Sequence, residues 1–268
     1  MGNVNKVIIK KKSSPVLKVG KIEYKLPENK SVPVENLGGY VMLIYGAKKI
    51  GKTSLCSIFP NALFLFFESG GKALRIYQET MTSWRKFTRF VELLKRDKRF
   101  DTIIIDTADL AYDCCFEEVC GLLGVEHPAD AGWGKGWSAI RKEFTFAINT
   151  LTNAGKGVIF ISHEKDVEIE DREGVKHITT TNTLSRQAKE CLEGIVDIWA
   201  NYSYEGDKRV LKILGSESLD AGHRLKERFR YTDKTRIRKI PMGRSEEEAY
   251  ENFIKAFNNK LENPKITK

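Results

Sequence analysis

The run Gly46-Ala47-Lys48-Lys49-Ile50-Gly51-Lys52-Thr53 fits G-x-x-x-x-G-K-[ST], the pattern of a loop that wraps phosphates. Gly46 and Gly51 let the backbone turn its N–H groups inward, and the helix that follows adds its positive end. Ala47, Lys48, Lys49, Ile50 and Ser54 complete the nucleotide-binding set. Lys52 is placed to reach the β and γ phosphates, and the Thr53 hydroxyl to ligate magnesium. ATP with Mg2+ is the expected ligand, because no N-K-x-D guanine motif occurs. The bland alternative is a glycine turn before an ordinary helix. The apolar strand in front of the pattern and the helix behind it weigh against that.

A phosphate-binding loop needs a second carboxylate on the metal side, at the end of a hydrophobic strand. Thr102-Ile103-Ile104-Ile105-Asp106-Thr107 supplies Asp106 there. Glu68 ends another apolar strand just beyond Phe67, placed to orient and deprotonate the water that attacks the γ-phosphate; otherwise it is a solvated strand-end residue. His163, in Ile161-Ser162-His163-Glu164, is a candidate γ-phosphate sensor that passes its state to the loop behind it. A lone histidine is as often structural.

Two polar stretches leave the same strand ends. One contains Gly132-Trp133-Gly134-Lys135-Gly136-Trp137, two aromatics beside a lysine, suited to stacking on unpaired bases with charge on the phosphates. The other, 165–183, carries Lys165, Arg172 and Lys176. The competing reading makes both ordinary mobile loops and the tryptophans packing anchors.

The elements that position these residues are legible from Tyr40 onward. Continuous apolar runs at Tyr40–Tyr45, Leu63–Phe67, Thr102–Ile105 and Val158–Ile161 alternate with helices, as in a mostly parallel sheet covered on both faces. Helices are expected over Lys52–Ile58, Leu110–Leu123 and from an N-cap at Ser138 to just before Gly155. The polar stretch after His163 reads as a loop able to form a hairpin, with alternation at Val167-Glu168-Ile169-Glu170. Ile195–Tyr204 and Val210–Leu214 are strands joined through Glu205-Gly206-Asp207. A capping box at Ser245–Glu248 opens a final helix whose stripe is Tyr250, Phe253, Ile254, Phe257 and Leu261. The fold class is α/β, doubly wound, in three parts: a basic N-terminal arm (1–37), a nucleotide-binding core (38–240), and a C-terminal amphipathic helix and tail (241–268).

Composition bounds the partners. The net charge is +9, and the lysines cluster: Lys6, Lys10, Lys11, Lys12, Lys18, Lys21, Lys25 and Lys30 meet only Glu23 and Glu28 in the first thirty residues. Pro15, Pro27 and Pro33 keep this arm extended, with Val7-Ile8-Ile9 and Ile22-Glu23-Tyr24 as short strand candidates. A second basic cluster runs from Arg224 to Lys239, and single-stranded DNA is the expected acidic partner. Five cysteines, two of them adjacent, fit reduced thiols in a cytoplasm. No apolar run is long enough for a membrane span, and none follows the N-terminus as a signal peptide.

The order and spacing of these pieces over 38–240 resemble the RecA-like recombinase core, and most closely the short phage annealing ATPases of the Sak-four group. The likeness is carried by the phosphate loop, Leu63–Glu68, Ile103–Thr107, Gly134-Lys135-Gly136-Trp137 and Val158–Glu164. It implies ATP-dependent self-assembly into a ring or filament on single-stranded DNA, with annealing or strand exchange, in the cytoplasm of a phage's bacterial host. A single-strand-binding protein is a further implied partner. It makes Glu68 the catalytic glutamate, His163 the γ-phosphate sensor and the two polar stretches DNA-binding loops. Lys226 and Arg228 fall near the basic residues that reach a neighbour's ATP. The chain lacks the long C-terminal domain of bacterial RecA. The alternatives are a replicative helicase or helicase loader, a small-molecule kinase, and an interaction protein switched by bound ATP.

Overall fold

The computed structural model describes residues 16–19, 22–170 and 173–264, divided into units 1–35 and 36–268. In the first unit Val16–Val19 (β1) and Ile22–Lys25 (β2) pair antiparallel, with Val16 opposite Lys25. The strand expected at Ile22-Glu23-Tyr24 is present, while Val7-Ile8-Ile9 lies outside the described residues.

The second unit opens with β3 (Val41–Gly46), α1 (Lys52–Ser57), β4 (Ala62–Phe66), β5 (Tyr77–Thr80), α2 (Trp84–Leu94), β6 (Thr102–Asp106) and α3 (Ala108–Leu123). It continues with α4 (Lys135–Asn153), β7 (Gly157–Glu170), β8 (Lys176–Asn182), α5 (Arg186–Glu193), β9 (Ile198–Glu205) and β10 (Lys208–Lys212). It closes with β11 (Gly222–His223), β12 (Lys239–Pro241) and α6 (Glu246–Phe257). The main sheet runs β12-β10-β9-β3-β7-β6-β4-β5. From β9 to β5 the strands are parallel, and β10 and β12 add an antiparallel edge.

The apolar runs are continuous because both faces of these strands are covered. Leu43, Ile105 and Phe160 pack with α2, α3, α4 and α5. Met42, Ile44, Ile104 and Ile161 pack with α1 and α6 on the other face. The stripe of α6 completes that second core, with Phe253 and Phe257 against Phe229, and Phe253 also against Phe59. Its cap differs in detail from the expected box. Ser245 Oγ accepts from the Glu248 N–H at 3.2 Å, but the Glu248 carboxylate takes the N–H of Arg244, at 2.8 Å.

The structure corrects two boundaries. Helix α4 starts at Lys135 behind a left-handed Gly134 (φ 70°), so Ser138 is interior and not the N-cap. Gly136 suits this earlier start: a side chain there would begin 2.4 Å from the Pro128 carbonyl oxygen, and its absence lets the first turn close against the 3-10 turn Pro128–Ala131. The polar stretch after His163 is a regular hairpin, since β7 runs on to Glu170 and pairs with β8 from Glu164↔Asn182 to Glu170↔Lys176.

Candidate active site

The parallel strands all end on one edge, with Gly46 level with His163 and Phe66 level with Asp106. The chain leaves β3 through Gly46, where a side chain would begin 2.0 Å from the Tyr202 carbonyl oxygen of β9. It re-enters helix through Gly51 at φ 104°, a conformation that L side chains rarely adopt. Ile50, 3% exposed, anchors the loop between them in the α1–α6 core, while Lys48 and Lys49 stay exposed.

Lys52 folds back into this loop. Its Nζ donates to the carbonyl oxygens of Gly46 and Ala47, each at 2.8 Å, and lies 3.4 Å from His163 Nδ1. Burial lowers its pKa, against the opposing pull of Asp106, Glu164 and Glu68. Thr53 Oγ1 donates to Asp106 Oδ2 at 2.9 Å. Lys52, Thr53, Ser54, Glu68, Asp106 and His163 line one cleft of about 490 Å³. The residues singled out from three separate strand ends therefore meet around the phosphate loop.

Asp106 is 3% exposed. Burial pushes its carboxyl up to about 6, with the charge of Glu68 adding to the shift and the Thr53 bond and Lys52 opposing it. A carboxylate held this unfavourably beside a threonine hydroxyl fits a divalent cation, which would restore its ionised form. Thr53 and Asp106 are the residues that would hold Mg2+. Without metal the folded pKa stands above the ordinary 3.8, so the stabilisation from the protonated form is complete below that value. It is lost as pH rises through about 6, a difference of about 3 kcal/mol. Metal binding runs the other way, because protons compete for the same oxygen. Mg2+-dependent ATP binding is expected to weaken as pH falls through about 6 by more than Mg2+-free ATP binding does, since the nucleotide's own terminal phosphate also takes up a proton near there; calorimetric titrations from about pH 5 to 8 with and without Mg2+ check this.

His163 is half-buried, and burial first, then the charge of Lys52, lowers its pKa, leaving it neutral near pH 7. Sequence reading did not anticipate the group behind it. Asp109, three residues after Asp106, accepts from Ser162 Oγ and from Thr183 Oγ1, each at 2.8 Å. The Thr183 N–H donates to the His163 carbonyl oxygen at 2.9 Å. The root of the β7–β8 hairpin is thus tied to the start of α3. The D-T-A-D spacing was the available signal.

The remaining candidates lie elsewhere. Trp133 is fully exposed, with φ 47°, and Lys135 is exposed on the first turn of α4. Trp137 is half-buried against the rings of Phe116 and His127. On the hairpin, Lys165 makes long contacts of 3.4 Å to the carbonyls of Thr183 and Leu184, and Lys176 pairs with Glu168 at 2.7 Å. Arg172 lies outside the described residues. Lys226 and Arg228 follow β11, which pairs with the entering end of β9, so they sit away from the edge that carries the cleft. The Arg228 guanidinium lies 4.4 Å from the centre of the Phe257 ring.

Comparison with known proteins gives a family and one relative. A family model described as an AAA domain matches residues 38–225. The chain is also 28% identical over 216 residues to the SPbeta prophage-derived uncharacterized protein YorG of Bacillus subtilis (strain 168). That alignment covers 76% of this chain and 64% of YorG, so the chain spans less than two thirds of its relative's length.

Proposed function

We propose that this chain, which belongs to the AAA domain family, is an ATPase of RecA type that acts on single-stranded DNA. In this reading it is phage-encoded and anneals or exchanges strands during recombination, assembled as a ring or filament in the host cytoplasm. The observation that carries the reading is one juxtaposition. The cleft that gathers Lys52, Glu68, Asp106 and His163 opens where β7 leaves the sheet to become the projecting hairpin. ATP turnover at the strand ends thereby has a polar element to act on. The prophage source of YorG supports a phage origin.

The residues divide the chemistry among them. Lys52 holds the β and γ phosphates and offsets charge on the transferring group, in place of the two carbonyls it now contacts. Thr53 and Asp106 would hold Mg2+, which would supply neutralisation of phosphate charge when bound. Glu68 takes a proton from the attacking water. Neutral His163 offers its N–H to the γ-phosphate and couples that contact to the hairpin through its own backbone.

The deciding measurement is phosphate release with and without single-stranded oligonucleotide, with particle images of the same samples. Stimulated turnover and ATP-dependent rings or filaments are expected. Turnover indifferent to DNA, with no oligonucleotide retained at low salt, would overturn the reading. Phosphate appearing on a metabolite instead of in solution would point to a kinase.

A further inference from the structure

Successive residues of a strand face opposite sides of the sheet. On β7, His163 lines the ATP cleft and the next residue, Glu164, lines a separate groove of about 660 Å³ on the other face. On β9, Tyr202 is buried in the α1–α6 core, while its neighbours Asn201 and Ser203 form the floor of the same groove. The Asn201 amide donates to Glu164 Oε2 at 3.0 Å. Groove and cleft are therefore separated by the thickness of one strand.

We propose that this groove, between the β7–β8 hairpin and the β9–β10–β12 edge, is where single-stranded nucleic acid lies. The proposal rests on the DNA-dependent reading above and gives it a site. The lining is mainly polar and mixes donors with acceptors, as base edges require. Its carboxylates are already engaged: Glu164 by Asn201, Asp166 by the Thr180 hydroxyl at 2.7 Å, and Glu205 by Lys212 and Lys239. Ser203 Oγ is buried and has no hydrogen-bond partner among the described residues. Arg238 spends one bond, of 3.3 Å, on the Gly215 carbonyl oxygen and leaves its other donors for phosphate. The exposed side chain of Ile178, on the hairpin wall, gives a base an apolar flank. Lys212, Arg238 and Lys239 stand against three carboxylates, and Lys165 spends its ammonium on the carbonyls of Thr183 and Leu184, so the groove carries little net charge. Binding there is expected to depend on salt through one or two phosphates, unlike a basic patch that tracks a long backbone.

Fluorescence anisotropy with a labelled oligothymidylate, in ATP and Mg2+, tests this on the full chain. Two substitutions address the groove: Arg238→Gln removes the phosphate donor, and Ser218→Trp fills the groove from an exposed rim position. Both are expected to weaken oligonucleotide binding about tenfold or more, with ATP affinity in the absence of DNA kept within about twofold. Arg238→Gln should also flatten the log–log salt slope by roughly 0.7. Variants that bind oligonucleotide like the parent would overturn the groove while leaving the DNA-dependent reading intact. A parent chain that retains no oligonucleotide would overturn both. If Ser218→Trp abolishes self-association and leaves DNA binding unchanged, the groove is a protein contact and the proposal fails.

Discussion

Replacing Lys52 with alanine is expected to abolish turnover, lowering the rate by at least about a hundredfold, the scale of losing one pre-organised transition-state donor. ATP affinity should fall roughly ten- to a hundredfold, since a charge-assisted contact is lost from the bound state as well. The fold should tolerate the change. Lys52 is a buried cation whose charged form burial disfavours, so deleting it removes a desolvation cost. Against that, the carbonyls of Gly46 and Ala47 lose their donor. These opposing terms should leave the melting temperature within a few degrees of the parent. Phosphate release, titration with a fluorescent ATP analogue and a thermal melt on one preparation give all three quantities. Undiminished turnover would remove Lys52 from the chemistry.

Glu68→Gln should separate binding from hydrolysis. A general base contributes about 10²–10⁴ in rate, so turnover should fall by that order while ATP affinity changes only a few-fold. A second effect follows from position. The charge of Glu68 is one of the causes that raise the Asp106 carboxyl, so neutralising it should shift the pH midpoint of Mg2+-dependent binding below about 6. Single-turnover hydrolysis and the Mg2+ titration repeated across pH read out the two effects. A variant that keeps parental turnover would make Glu68 a solvated strand-end residue.

The phosphate loop and the strands around it were legible because burial on both faces writes a strand as an unbroken apolar run, as in Ile103-Ile104-Ile105. The meeting of Glu68, Asp106 and His163 followed from one rule, that parallel strands end on a common edge. The strand order was not legible. Nothing in the chain says that β7 inserts between β3 and β6, which is what brings His163 next to Lys52. The surroundings of Trp137 were hidden too, because Phe116 lies far upstream and reaches it only through the packing of α3 on α4. Helix α2 carried a readable signal in the N-cap Ser83 and the spacing of Trp84, Phe87, Val91 and Leu94. Strands β11 and β12, two and three residues long, are too short for any periodicity to register.

The length of β7 has a mechanical meaning. Half of its fourteen residues lie beyond His163, and at the rise of an extended chain that half projects about 23 Å from the sheet. It is braced along its length by β8 and pinned at its root by Asp109 through Ser162 and Thr183. A braced strand pinned at one end is a lever whose fulcrum sits beside Lys52 and the phosphate loop. A tilt of about 5° at that fulcrum would displace the far end by about 2 Å over such a length. Displacement is smallest at the root, next to Asn201, and largest at the tip. Nucleic acid held near the root would be gripped or released, and anything held at the tip would be carried.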